Sequence, residues 1–125
     1  MPIQDEDIVV LRPNTSVIAR DQPGHGNARH EYDVVTTPNA HWGEELDVVT
    51  TIRFQNGPVK EHGINGCQLE DLIEVCIDRL QGFQSGDYAC ETNAAALSSL
   101  NDALESLESR TRSRVERGVE GTSLS

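Results

Sequence analysis

Two stretches decide the fold: LEDLIEVCIDRLQGF at residues 69–83 and ACETNAAALSSLNDALESLESRTRSRVER at residues 89–117. In the first, Leu69, Leu72, Ile73, Cys76, Ile77, Leu80 and Phe83 recur every three or four residues. That period lays one apolar stripe along a helix of about four turns. Glu70 and Asp71 stand where the positive end of the helix dipole favours acids. In the second, Asn93, Leu97, Leu100, Leu104, Leu107 and Thr111 alternate by four and three, the seam of a paired helix. Ala94–Ala96 and Ala103 permit close approach, and Gly118 suits the residue after the helix end. The turn Gln84-Ser85-Gly86-Asp87 joins the two into a helical hairpin. The second helix is expected to overshoot the first by roughly 20 Å at ~1.5 Å per residue. That overshoot carries Arg110 and Arg114.

Upstream, the period changes. Ile8–Leu11, Ser16–Ala19, Tyr32–Thr37 and Leu46–Gln55 are β-branched runs between turn formers and predict strands. Residues 21–29 predict a long polar loop. Asn56-Gly57 is a two-residue turn signal, with Val59–His62 expected to return as a short strand and Pro58 at its start or on an edge. The pentapeptide DVVTT occurs at 33–37 and at 47–51. Two neighbouring antiparallel strands explain that repeat, and a chance echo explains it nearly as well. The fold class is therefore α+β: a small antiparallel sheet followed by a long C-terminal helical hairpin. The chain is taken as a single domain, with residues 1–66 β-rich, 67–118 the hairpin and 119–125 a flexible tail.

The 125 residues hold 21 acids and 10 bases, a formal charge of −11. Such a chain repels nucleic acid and anionic membranes. Four of its bases nevertheless gather at Arg110, Arg112, Arg114 and Arg117. The acidic N-terminus lacks the apolar core of a secretory signal, and no apolar run approaches the ~20 residues of a membrane span. Cys67, Cys76 and Cys90 form no CxxC pair, and His25, His30, His41 and His62 lack ligand spacing. Neither a disulfide scaffold nor a metal site is expected, and a reducing compartment fits. No nucleophile–base set, GxGxxG or P-loop emerges, and Glu44-Glu45 reads as a solvated turn.

Arg110 and Arg114 are four apart and share a helix face. They are either a solvated, dipole-favoured helix end or a bidentate phosphate clamp. Phe83, beside Tyr88 at the hairpin tip, is either a plug on the apolar stripe or a stacking platform for a purine. Asn93 either sets helix register or reads a base or ribose.

Several runs carry a resemblance. They are FQNGPVKE (54–61) with GING (63–66), IDRLQGFQ (77–84), ACETNA (89–94), and Arg110-Thr111, Arg114 and RGVEGT (117–122). Together they resemble the first described family of phage Thoeris anti-defense proteins, over roughly residues 52–122. The first 45 residues show no such likeness. The resemblance implies a sponge without enzymatic activity and without a cofactor. It implies binding of a cyclic ADP-ribose isomer, glycocyclic ADP-ribose, in the host cytoplasm. Some members also form hexamers that hold CBASS cyclic trinucleotides at a separate site, and the hairpin is similar to that of a phage anti-CBASS sponge. The family's ligand-contacting aromatic falls on Phe83, its asparagine on Asn93, and its two late-helix arginines on Arg110 and Arg114. Tyr88 and Lys60 are secondary candidates for ligand contact. Where many members carry Arg-Glu-Asn and Gly-Pro-Phe, this chain has Glu91-Thr92-Asn93 and Gly86-Asp87-Tyr88, which removes an arginine beside the expected pocket. Helix geometry adds a further expectation. Asn93 and Arg110 lie 17 residues, roughly 25 Å, apart on one straight helix. A shared pocket between two antiparallel copies would close that gap, as an isologous homodimer provides. An enzyme degrading the same signal and a structural phage assembly protein are the competing readings.

Overall fold

A computed structural model describes residues 3–39, 42, 46–118 and 121–122. His41 and Glu44-Glu45 lie outside the described residues. The chain divides into two compact units, Met1–Gly57 and Pro58–Ser125.

The first unit is a four-stranded antiparallel meander. Its strands are β1 (Ile8–Val10), β2 (Thr15–Ala19), β3 (Glu31–Thr36) and β4 (Val48–Arg53), in that spatial order. All four predicted strands form; β1 and β4 are shorter than the apolar runs suggested, β2 gains Thr15, and β3 is shifted by one residue. The polar stretch 21–29 is a loop containing a single 3-10 turn at His25–Asn27.

The DVVTT repeat pairs with itself. Asp33 stands opposite Thr51 and Val34 opposite Thr50. After a bulge Val35 meets Val48, and the Thr36 amide donates to the Asp47 carbonyl at 2.9 Å. The antiparallel register thus sets the first residue of one copy against the last of the other.

Period-two alternation puts Ser16, Ile18, Asp33 and Val35 in the buried set. Two of these are polar, and both are satisfied. Ser16 Oγ lies 2.7 Å from Thr37 Oγ1 and accepts from the Arg12 amide at 3.1 Å. Asp33 Oδ2 accepts from Arg20 Nε at 2.7 Å and Oδ1 from Thr51 Oγ1 at 2.6 Å. A buried polar group is tolerated when its partners are complete. On the alternate face Tyr32 and Phe54 meet edge to face, centroids 6.0 Å apart.

The second unit begins with a correction. Val59–His62 is not a returning strand; it is a single helical turn, α1 (Val59–His62). Pro58 has no N–H for a sheet ladder, and its φ of −63° already suits a helix start. Its carbonyl accepts from the Glu61 and His62 amides at 3.1 and 2.9 Å. Gly63, at φ +71°, closes the turn in a conformation that other residues adopt at a cost. The change from strand to helix therefore falls earlier than the residue pattern suggested.

The hairpin follows, as α2 (Leu69–Gln84) and α3 (Glu91–Glu116). The Gln68 amide donates to Asp71 Oδ2 at 2.8 Å and fixes the start of α2. Ile77 and Leu104 are its buried centre, and Leu97, Leu100, Leu107 and Thr111 are half-buried along the seam. Gly118, at φ +73°, follows the last turn of α3 as its residue type requires. With 16 and 26 residues, the helices differ by about 15 Å rather than roughly 20 Å. The difference arises because α3 starts at Glu91 and ends at Glu116. Among the described residues no helix is long and apolar enough to cross a membrane.

Candidate functional site

At the hairpin tip, α2 ends one residue after Phe83 and α3 begins two residues before Asn93. Phe83 is half-buried; Tyr88 is 75% exposed and meets it edge to face, centroids 5.9 Å apart at 81°. Asn93 Nδ2 donates to the Tyr88 carbonyl at 3.2 Å, so the amide is anchored by the very turn that carries the second ring. The Cys90 amide donates to Gln84 Oε1 at 2.9 Å, and the Asn93 amide donates to Cys90 Sγ at 3.4 Å. Three hydrogen bonds therefore hold the turn, Phe83, Tyr88 and Asn93 as one preorganised group.

Two residues of this group escaped the sequence reading. In sequence Gln84 is one polar residue of the turn, and nothing in its spacing announces a bond to an amide six residues on. Arg79 carried a usable signal, its i,i+4 spacing to Phe83. Its Cζ lies 5.0 Å over the Phe83 ring.

Cys90 caps α3 with sulfur where serine is preferred. Cys90→Ser is therefore expected to raise stability by up to about 1 kcal/mol, and Cys90→Ala to lower it by about 0.5 kcal/mol. Urea melts of the three proteins measure both. Identical midpoints would mean that the thiol contributes no cap.

The other candidates sit near the opposite end of the hairpin. Arg114 is half-buried and donates from Nη2 to the Thr122 carbonyl at 3.0 Å. The Lys60 amide donates to the Gly121 carbonyl at 2.9 Å. Gly121 has φ +80°, and a Cβ there would come within 3.2 Å of Lys60 Cγ. Of the terminal stretch 119–125, Gly121 and Thr122 are the described residues, and both carbonyls are thus engaged. Arg110 is exposed and, among the described residues, its side chain makes no hydrogen bond or ion pair. One chain brings Phe83, Tyr88 and Asn93 together and Lys60 and Arg114 to a second place. It does not join the two groups, because α3 runs uninterrupted from Asn93 through Arg114.

Among the described residues no cluster of three or more His, Cys, Asp or Glu is placed to hold a metal ion. The two carboxylates with displaced acidity, Asp21 and Asp33, belong to the sheet unit. Burial alone would push the Asp33 carboxyl up. The hydrogen bonds from Thr51 and Arg20 and the charges of Arg20 and Arg53 outweigh it and hold the carboxyl below the usual range. At Asp21, burial is likewise outweighed, by the amides of His30 and Glu31 and the neighbouring imidazole.

Residues 46–112 match the family model described as Acb2/Tad1, hairpin domain. The chain belongs to the Acb2/Tad1 hairpin-domain family. The matched span takes in β4, α1, α2 and most of α3, including Phe83, Tyr88, Asn93 and Arg110. It stops two residues short of Arg114. Thoeris anti-defense 1 of Bacillus phage SBSphiJ7 is 51% identical over 74 residues, 59% of this chain and 52% of that protein. The chain thus spans about half the length of the curated relative it matches.

Proposed function

We propose that this protein is a phage anti-defense sponge that sequesters a cyclic ADP-ribose isomer, glycocyclic ADP-ribose, inside the host cell without cleaving it. Phe83 stacks on the purine, Asn93 reads the base or ribose, and Arg110 and Arg114 clamp the diphosphate, with Tyr88 and Lys60 at the margins. Membership of the hairpin-domain family and likeness to a Thoeris anti-defense protein support the ligand class.

The single observation that carries the reading is the separation of the two residue groups along α3. Asn93 and Arg110 are roughly 25 Å apart on a continuous helix. A nucleotide that touches both groups does so between two copies packed antiparallel. The apolar surface supports such pairing, since Leu69, Val75 and Val115 are exposed on helices whose centre buries only Ile77 and Leu104.

The protein is to be incubated with glycocyclic ADP-ribose, freed of excess, denatured, and the released material weighed by mass spectrometry. Intact ligand in stoichiometric amount is the expected result. Linear ADP-ribose or mononucleotide in more than stoichiometric amount would show turnover and end the sponge reading. In calorimetry, Arg110→Ala and Arg114→Ala should each weaken binding by about ten- to a hundredfold. Unchanged affinity in the doubly substituted protein would remove the clamp.

A further inference from the structure

We propose that Arg79 is a ligand-contacting residue at the hairpin tip. It supplies the cation that meets a phosphate of the nucleotide whose base comes to Phe83. The inference rests on the nucleotide-binding reading and adds to it a positive charge at the aromatic end of the pocket.

The first support is placement. The Arg79 guanidinium lies over the Phe83 ring, with Cζ 5.0 Å from the centroid. A purine arriving at that ring therefore meets Arg79. It either stacks beside the guanidinium or takes its place and turns the cation toward the ligand's phosphates. A planar guanidinium suits both roles, because it stacks on aromatic faces and presents a fork of donors to phosphate oxygens.

The second support is the state of the charge. Arg20, Arg29, Arg53 and Arg112 each meet a carboxylate, on Asp33, Asp7, Glu31 and Glu105 respectively. Among the described residues the Arg79 side chain makes no hydrogen bond or ion pair, and it is exposed. A shortage of acids is not the reason. Asp78 adjoins it in sequence, and Asp87 and Glu91 border the tip turn.

The third support is scarcity. Between Lys60 and Arg110 the sequence carries one arginine or lysine, Arg79, among many acids. The other charged residues near the tip in sequence, Asp78, Asp87 and Glu91, are all acids. The cation that offsets them from within this unit's tip is Arg79. If a partner copy also brings Arg110 and Arg114, the ligand is flanked by cations on two sides.

The test compares wild type, Arg79→Met and Arg79→Lys by calorimetry with glycocyclic ADP-ribose at low and high salt. Met keeps an apolar contact with Phe83 and removes the charge; Lys keeps the charge and loses the planar fork. Arg79→Met should bind about ten- to a hundredfold more weakly, with a shallower salt dependence, and Arg79→Lys should recover part of the loss. Thermal melts of the three proteins should coincide, since the side chain is exposed. A merely structural role would shift the melt and leave the salt dependence alone. Arg79→Met with wild-type affinity and salt dependence would overturn the proposal while leaving the nucleotide-binding reading intact. A wild type that fails to bind would instead overturn that reading, and this one with it.

Discussion

A Phe83→Ala/Asn93→Ala variant mixed with an Arg110→Ala/Arg114→Ala variant, under subunit exchange, is expected to regain binding that neither shows alone. Each parent lacks one half of every pocket. Losing a base stack removes roughly 1–3 kcal/mol, and losing charge-assisted hydrogen bonds removes a comparable amount for each arginine. In the mixed dimer one pocket combines the intact tip of one chain with the intact arginines of the other, while its symmetry mate lacks both. Random exchange of equal amounts makes half the dimers mixed, so about a quarter of the wild-type sites should return. Mass spectrometry of isotope-labelled subunits establishes exchange, and calorimetry counts the sites. Full exchange without recovered sites would show that one chain holds the whole pocket, by a bend of α3 that the free structure lacks.

The sheet unit should answer most strongly to Asp33. Its carboxylate is 5% exposed and bound by Arg20 and Thr51. Asp33→Ala strands both partners, and Arg20 is itself one-third exposed, so part of its charge is returned to water. A loss of about 2 kcal/mol is expected, with Asp33→Asn costing less because it keeps an acceptor for Thr51. The acid limb should change as well. Asp33 has its folded value held below the ordinary carboxylate value, so its contribution is full above about pH 4 and is lost as pH falls through the folded value. Asp21 acts with the same sign. Urea melts between pH 2 and 7 should therefore show a shallower acid decline in Asp33→Ala than in wild type. Parallel declines would mean that Asp33 gains nothing from its partners on folding.

The helical half was legible because its signal is local. A three- and four-residue apolar period and the residue after a helix end need only neighbours in sequence, and α2, α3 and Gly118 follow it closely. The family was legible for a related reason, since its motifs are short runs around Phe83 and Asn93. The strands were legible as apolar runs, and the DVVTT repeat offered one neighbouring antiparallel pair, but the register was not legible. Which run faces which is a choice between distant segments, and the two DVVTT copies gave no sign that Asp33 would meet Thr51 until the antiparallel register was known.

Other features were masked in the residue pattern or belong to tertiary structure. Val59–His62 has strand-like neighbours in sequence, yet Pro58, with no N–H to give a sheet, opens a helical turn there. The contacts of Arg114 with Thr122 and of Lys60 with Gly121 depend on the chain returning after α3, which no local period encodes. The candidate site combines both kinds of information. Its residues were named by motif and spacing, and the sequence also set their separation once α3 was taken as straight. That Phe83, Tyr88 and Asn93 lock into one tip was decided by groups meeting across the turn, where packing and hydrogen-bond geometry rather than residue order select the partner.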